Sequence, residues 1–167
     1  MSCLGVHFAL TDDDVRELLT RSSDAERLKF LQEELEVRYF EEPQTFIAES
    51  DKAWDAMHRA LTDGLLNYDG GEYPLSHVVL GGQSIYGGDD YIMSLKTPAQ
   101  VKDIAAAILQ YTQEQFRARY DSIDPDRYGL ALSGEDFSYT WEWFQGVRQL
   151  YQIAASEGRH VLFSADQ

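Results

Sequence analysis

The stretch EDFSYTWEWFQGVRQLYQIAA, residues 135–155, constrains the fold more than any other. At helical spacing Phe137, Trp141, Phe144, Arg148 and Tyr151 form one stripe. Tyr139, Trp143, Val147, Leu150 and Ala154 form a second. Together they exceed the apolar arc of about 100° that a surface helix presents. A helix this apolar needs neighbours on several sides, so it must lie centrally, against a sheet and flanking helices. The spacing predicts a helix from about Glu135 to Glu157, closed by Gly158, a residue suited to a left-handed cap. Trp141 is expected in the core. Tyr139 and Trp143 are candidates for a surface patch, and Trp143 is nominated for partner binding because exposed tryptophan is enriched at binding hot spots. Gly146 costs about 1 kcal/mol relative to alanine inside a helix. It is read as a place where another element approaches closely.

The sheet has three visible strands. Residues 3–10, CLGVHFAL, alternate, with Leu4, Val6 and Phe8 on one face. YIMSLK (91–96) and HVLFSA (160–165) supply two more. Between them, Thr11 caps a helix with Asp12, Asp13 and Asp14 in its first turn, where the helix dipole favours acids. Ser23 and Glu26 read as a capping box opening a second helix, and a third begins near Ser50. Thr97, Pro98 and Gln100 mark a further start, with Val101, Ile104, Ala105, Ile108 and Thr112 facing inward. The order is strand, three helices, loop, strand, helices, strand. That is too few strands for a doubly wound sheet. The expectation is one compact α+β domain over 1–167, with helices packed on a small sheet that includes the N-terminal and C-terminal strands.

Charge narrows the partners. The chain carries a net −15 over 167 residues, and residues 1–90 hold −12 of it, from 19 acidic and 7 basic side chains. Such a surface repels nucleic acid, whose binding needs cationic side chains on phosphates, and anionic lipid likewise. It attracts a basic protein or a cationic ligand. Glu33, Glu34, Glu41 and Glu42 crowd one helix and its exit and are the nominated partner-binding acids. Solubility alone is the competing explanation. No apolar run approaches the ~20 residues of a membrane span. The N-terminus lacks the basic start of a secretory signal. A single cysteine, Cys3, forms no internal disulfide and suits a reducing compartment, so a cytoplasmic location is expected.

Residues 78–93, VVLGGQSIYGGDDYIM, hold two glycine pairs. A phosphate loop would need lysine and a hydroxyl residue after the last glycine; here Asp89 and Asp90 follow instead. A nucleophile elbow would need a second glycine one place earlier than the sequence has it. No catalytic residue is therefore assigned. The four histidines lack the spacing of a metal site, so neither a metal nor another cofactor is expected. The glycines read as a wide turn leading into the strand from Tyr91.

On DKAWDAMHRALT, Trp54, Met57, His58 and Leu61 share one face, which places His58 inward with a partner for its ring. The segment Asp51-Lys52-Ala53-Trp54 leading to His58 and Leu61-Thr62, with Pro74-Leu75-Ser76 leading to Val79-Leu80-Gly81-Gly82, resembles the YfbM-like family. So do the N-terminal strand, the Thr97-Pro98 helix start and the long aromatic helix before a terminal strand. That family comprises small bacterial proteins of unknown function. The resemblance implies a cytoplasmic single-domain α+β protein and brings no catalytic residues with it. One departure is Thr62-Asp63-Gly64, where Asp63 displaces the family's usual glycine. If the resembling segments meet, Trp54 and His58 would lie near Gln83 and Ser84. That grouping would make either a small-molecule pocket or a polar network in a filled core.

Overall fold

The computed structural model describes residues 3–167. Its centre is a five-stranded antiparallel sheet of order β2-β1-β5-β4-β3. The strands are β1 (Gly5–Leu10), β2 (Ile47–Asp51), β3 (Gln83–Ser84), β4 (Tyr91–Lys96) and β5 (His160–Asp166). The terminal strands β1 and β5 are neighbours in full register, Gly5 opposite Ala165 through Leu10 opposite His160. Alternation then sorts side chains onto two faces, each with its own core.

On one face Phe8, Leu10, Met93, Leu95 and Leu162 pack against α1 (Asp12–Thr20) and α2 (Asp24–Phe30). α2 continues through a π-helical turn, Leu31–Leu35, into α3 (Glu36–Tyr39). On the other face Ala9, Ile92, Val161, Phe163 and Ala165 meet the larger core. Its helices are α4 (Trp54–Leu61), α5 (Pro98–Ile108), α6 (Gln113–Tyr120), α7 (Pro125–Tyr128) and α8 (Gly134–Glu157). α8 is the central aromatic helix. Phe137, Phe144, Val147, Leu150, Tyr151 and Ala154 are buried, and Phe116 of α6 stacks on Phe144 at 4.8 Å between ring centroids. Gly158 closes α8 at φ 66°, the left-handed cap its position calls for.

Three local readings need correction. The segment from Ser50 does not open a helix: Ile47–Asp51 is a strand and α4 starts at Trp54. The buried side of that strand is Ala48 and Ser50, small residues that give no apolar alternation. Thr112 is not on the inward face of α5. That helix stops at Ile108, and Thr112 opens α6 in a capping box with Gln115. Ser23 accepts from the Glu26 amide, but the Glu26 carboxylate turns to Ser22 N and Oγ, so the box is half formed. The Thr97–Gln100 box is complete.

Candidate functional site

Val78, Val79 and Leu80 are almost wholly buried yet lie between a short 3₁₀ turn (Leu75–His77) and β3, outside any ladder. Buried carbonyls without a ladder need other donors. Side chains supply them. Val78 O accepts from His7 Nε2 at 2.8 Å and from Tyr151 OH at 2.7 Å. Val79 O accepts from Lys96 Nζ at 2.5 Å, which also donates to Ser94 O at 3.2 Å. Ser94 Oγ lies 2.7 Å from Leu80 O and 3.0 Å from Gly81 O. Every carbonyl from Val78 to Gly81 is thus met by a side chain of β1, β4 or α8. This explains why a histidine, a lysine and a serine point into an apolar core.

Burial in the core fixes the titration of the group. Burial pushes Lys96 well below its ordinary value of 10.5. Burial, with Lys96 second, lowers His7 to about 3. With Nε2 donating to Val78, His7 Nδ1 is left without a partner.

The braced turn forms one wall of a cavity of about 490 Å³ lined by Tyr68, Asp69, Ser76, His77, Gly82 and Ser84. Gly81 N donates to Ser76 O at 3.0 Å, and a Cβ on Gly81 would lie 2.4 Å from that same oxygen. Gly82, at φ 125° and 2.6 Å from Leu95 O by the same measure, is likewise required by the turn. His77 Nδ1 and Ser76 Oγ are 2.9 Å apart, and the Tyr73 ring stands edge-on to His77 at 5.0 Å. Burial first, then Lys96, lowers His77 below 6.5, so its imidazole is neutral at pH 7. Ser76 is only 6% exposed, which makes its hydroxyl a brace for the ring and not an accessible nucleophile. Tyr68 and Asp69, which also line the cavity, follow Asn67, whose carbonyl accepts from His58 Nε2 at 2.9 Å. His58 is fully buried, lowered to about 4 chiefly by burial, and therefore neutral.

The four residues nominated for a ligand are divided. Ser84 lines the cavity, and Gln83 beside it is exposed on β3 opposite Leu95. His58 lies inward, as its stripe requires, and acts on the cavity only through Asn67. Trp54 is in the core against Phe163, with Nε1 donating to Cys3 O at 2.8 Å; the missing side chain of Gly5 makes room for its ring. Tyr68, Asp69, Ser76 and His77 fall in a stretch that composition marks only as a turn-rich loop. The pairing of their two walls depends on contacts distant in sequence.

The partner-binding nominees are scattered too. Glu33 and Glu34 share their surface with Arg21 and Lys29, and Lys29 Nζ is 3.9 Å from Glu33. Glu41 lies beside Arg38 and Arg159, while Glu42 is exposed beyond α3. Trp143, on α8, belongs to the opposite face of the sheet from Glu33 and Glu34. Among the described residues no helix is long and apolar enough to cross a membrane.

A family model described as "Domain of unknown function (DUF1877)" matches residues 1–164. A solved structure of a protein of unknown function, YfbM from Escherichia coli, is similar in fold at TM-score 0.65. It is 20% identical, and the match covers 97% of this chain and 99% of that one. No curated protein matches the sequence.

Proposed function

This chain belongs to the DUF1877 family of domains of unknown function, and on that premise we propose that it is a binding protein whose His77 cavity takes a small organic cation. The observation that carries this reading is the meeting of a carboxylate, Asp69, an aromatic ring, Tyr68, and an uncharged imidazole, His77, in one cavity. A carboxylate beside a π-face complements an ammonium group. The lowered His77 matters because a protonated imidazole there would repel the same ligand. Burial raises the Tyr68 hydroxyl above its ordinary value, which keeps it a neutral phenol. The net −15 draws cations toward the surface.

Titration calorimetry at pH 7.5 with spermidine and with choline tests this, with glutamate as the anionic control. At least one cation is expected to bind and glutamate to give no heat. Asp69→Asn is expected to weaken binding about tenfold, the scale of one charged contact. Silence from both cations, or binding unaltered by both Asp69→Asn and His77→Phe, refutes the proposal.

A basic protein partner is the second reading. It is favoured by a groove beside Trp143 whose charged lining residues, Glu49 and Glu142, are both acidic.

A further inference from the structure

β2 is an edge strand: β1 pairs with one side of it, and among the described residues the sheet has no strand on the other. The outward N–H and C=O groups of Ile47–Asp51 therefore have no strand partner. An open edge of this kind is a template for another chain unless something covers it.

α8 lies alongside that edge and leaves a groove of about 510 Å³. From the strand side come Gln44, Thr45, Ile47, Ala48 and Glu49; from the helix come Glu142, Trp143, Gly146, Gln149, Leu150 and Ile153. Trp143, Gly146, Leu150 and Ile153 recur at three- and four-residue steps, so they form one line down the helix. Tyr139 closes one end, its hydroxyl 2.5 Å from Asp51 Oδ2 and 3.2 Å from Lys52 N. Gly146 keeps the middle open, because a Cβ there would meet no atom within 4 Å. A strand edge with a helix beside it is the arrangement in which extended peptides add to a sheet.

Resting on the reading that the partner is basic, we infer that this groove binds an extended peptide that pairs with β2 and alternates apolar with basic side chains. The alternation follows from the pleat. Ala48 is buried with Leu150 in the core under α8, so an added strand would turn every second side chain toward Trp143, Gly146 and Ile153. The side chains between them would lie on the face of Glu49, which is exposed. Opposite charges across a strand pair attract, and like charges oppose pairing. Glu142 adds a second carboxylate at the rim, and no lysine or arginine lines the groove. The five residues of β2 span about 17 Å, which sets the partner strand at five or six residues.

The test is fluorescence anisotropy on the intact chain with three labelled ten-residue peptides that alternate valine with lysine, glutamate or threonine. The lysine peptide is expected to bind, more weakly as salt rises, and the other two at least tenfold more weakly. Gly146→Leu is expected to cost the lysine peptide at least tenfold in affinity by filling the groove, with thermal unfolding no lower than in the parent chain. Glu49→Lys should reduce binding and transfer preference to the glutamate peptide. Hydrogen exchange on the parent chain supplies a readout free of variants: the lysine peptide should protect the Ile47–Asp51 amides. Binding of the lysine peptide that neither Gly146→Leu nor amide protection locates at β2 overturns the groove while leaving the partner basic. Equal binding of the threonine peptide overturns the basic reading itself. Self-association of the free protein that Gly146→Leu abolishes would assign the edge to a second copy and overturn the inference.

Discussion

Lys96 is fully buried and held by two carbonyl oxygens, with no carboxylate paired to it among the described residues. An ammonium in that position carries a desolvation cost that two neutral acceptors do not offset, so the amine gives up its proton at lower pH than an exposed lysine does. The consequence for stability has a definite sign. A lysine whose folded value is lowered contributes stability that is present above its unfolded value of 10.5 and lost as pH falls toward the folded one. Between pH 7.5 and 8.5, below the range where the raised tyrosines matter, urea unfolding should therefore show stability rising with pH. Lys96→Met should remove that rise, whatever it does to stability at a single pH. A parent chain flat over this window would mean the amine stays charged. None of this is visible in YIMSLK, where the lysine sits at the strand end as an ordinary solvent-facing residue would. Burial comes from Val79, seventeen residues away, whose carbonyl the amine meets.

Elements were legible in proportion to how local their causes are. The long helix, its Gly158 cap and the Thr97–Gln100 box are written in residues within a few positions of each other, and they stand as read. β1, β4 and β5 carry enough apolar alternation to be recognised. β2 does not, since its register depends on pairing with β1 and its inward residues are small. The cavity at His77 was legible only as far as Ser84, because its walls are joined by bonds such as His58 to Asn67 and His7 to Val78 that no local pattern announces. The helix pattern makes Gly146 a site of close approach, and the structure shows the reverse, an open position. That reversal makes a prediction at the scale of the helix. Gly146→Ala should stabilise the protein by about 1 kcal/mol, the difference in helix propensity, since the new methyl meets nothing. Chemical denaturation measures it directly, and a destabilised variant would mean the groove is tighter than described.

For the whole molecule, two neutral histidines dominate the acid side. His7 falls to about 3 and His58 to about 4, both below the unfolded 6.5, so each contributes stability that is full above 6.5 and lost as pH falls toward the folded value. Between pH 6 and 5 the unfolded chain holds close to two protons that the folded chain refuses. Each contributes a slope of about 1.4 kcal/mol per pH unit once the unfolded imidazole is mostly protonated. Relief of repulsion among 29 acids acts in the other direction, so the slope is best compared between chains. His58→Gln should lower it by about one proton in urea titrations at pH 6, 5.5 and 5; an unchanged slope would place His58 in contact with solvent. The sheet order has a consequence for the life of the molecule on the ribosome. β5 is the middle strand, yet β1, β2, β3 and β4 are all synthesised before it. Until His160–Asp166 leaves the exit tunnel, the β1–β2 pair and the β3–β4 pair have nothing to join them, and each shows a bare edge to its surroundings. Nascent chains of this protein thus expose both edges until β5 emerges, and it is then, before the seam closes, that a chaperone has most to protect.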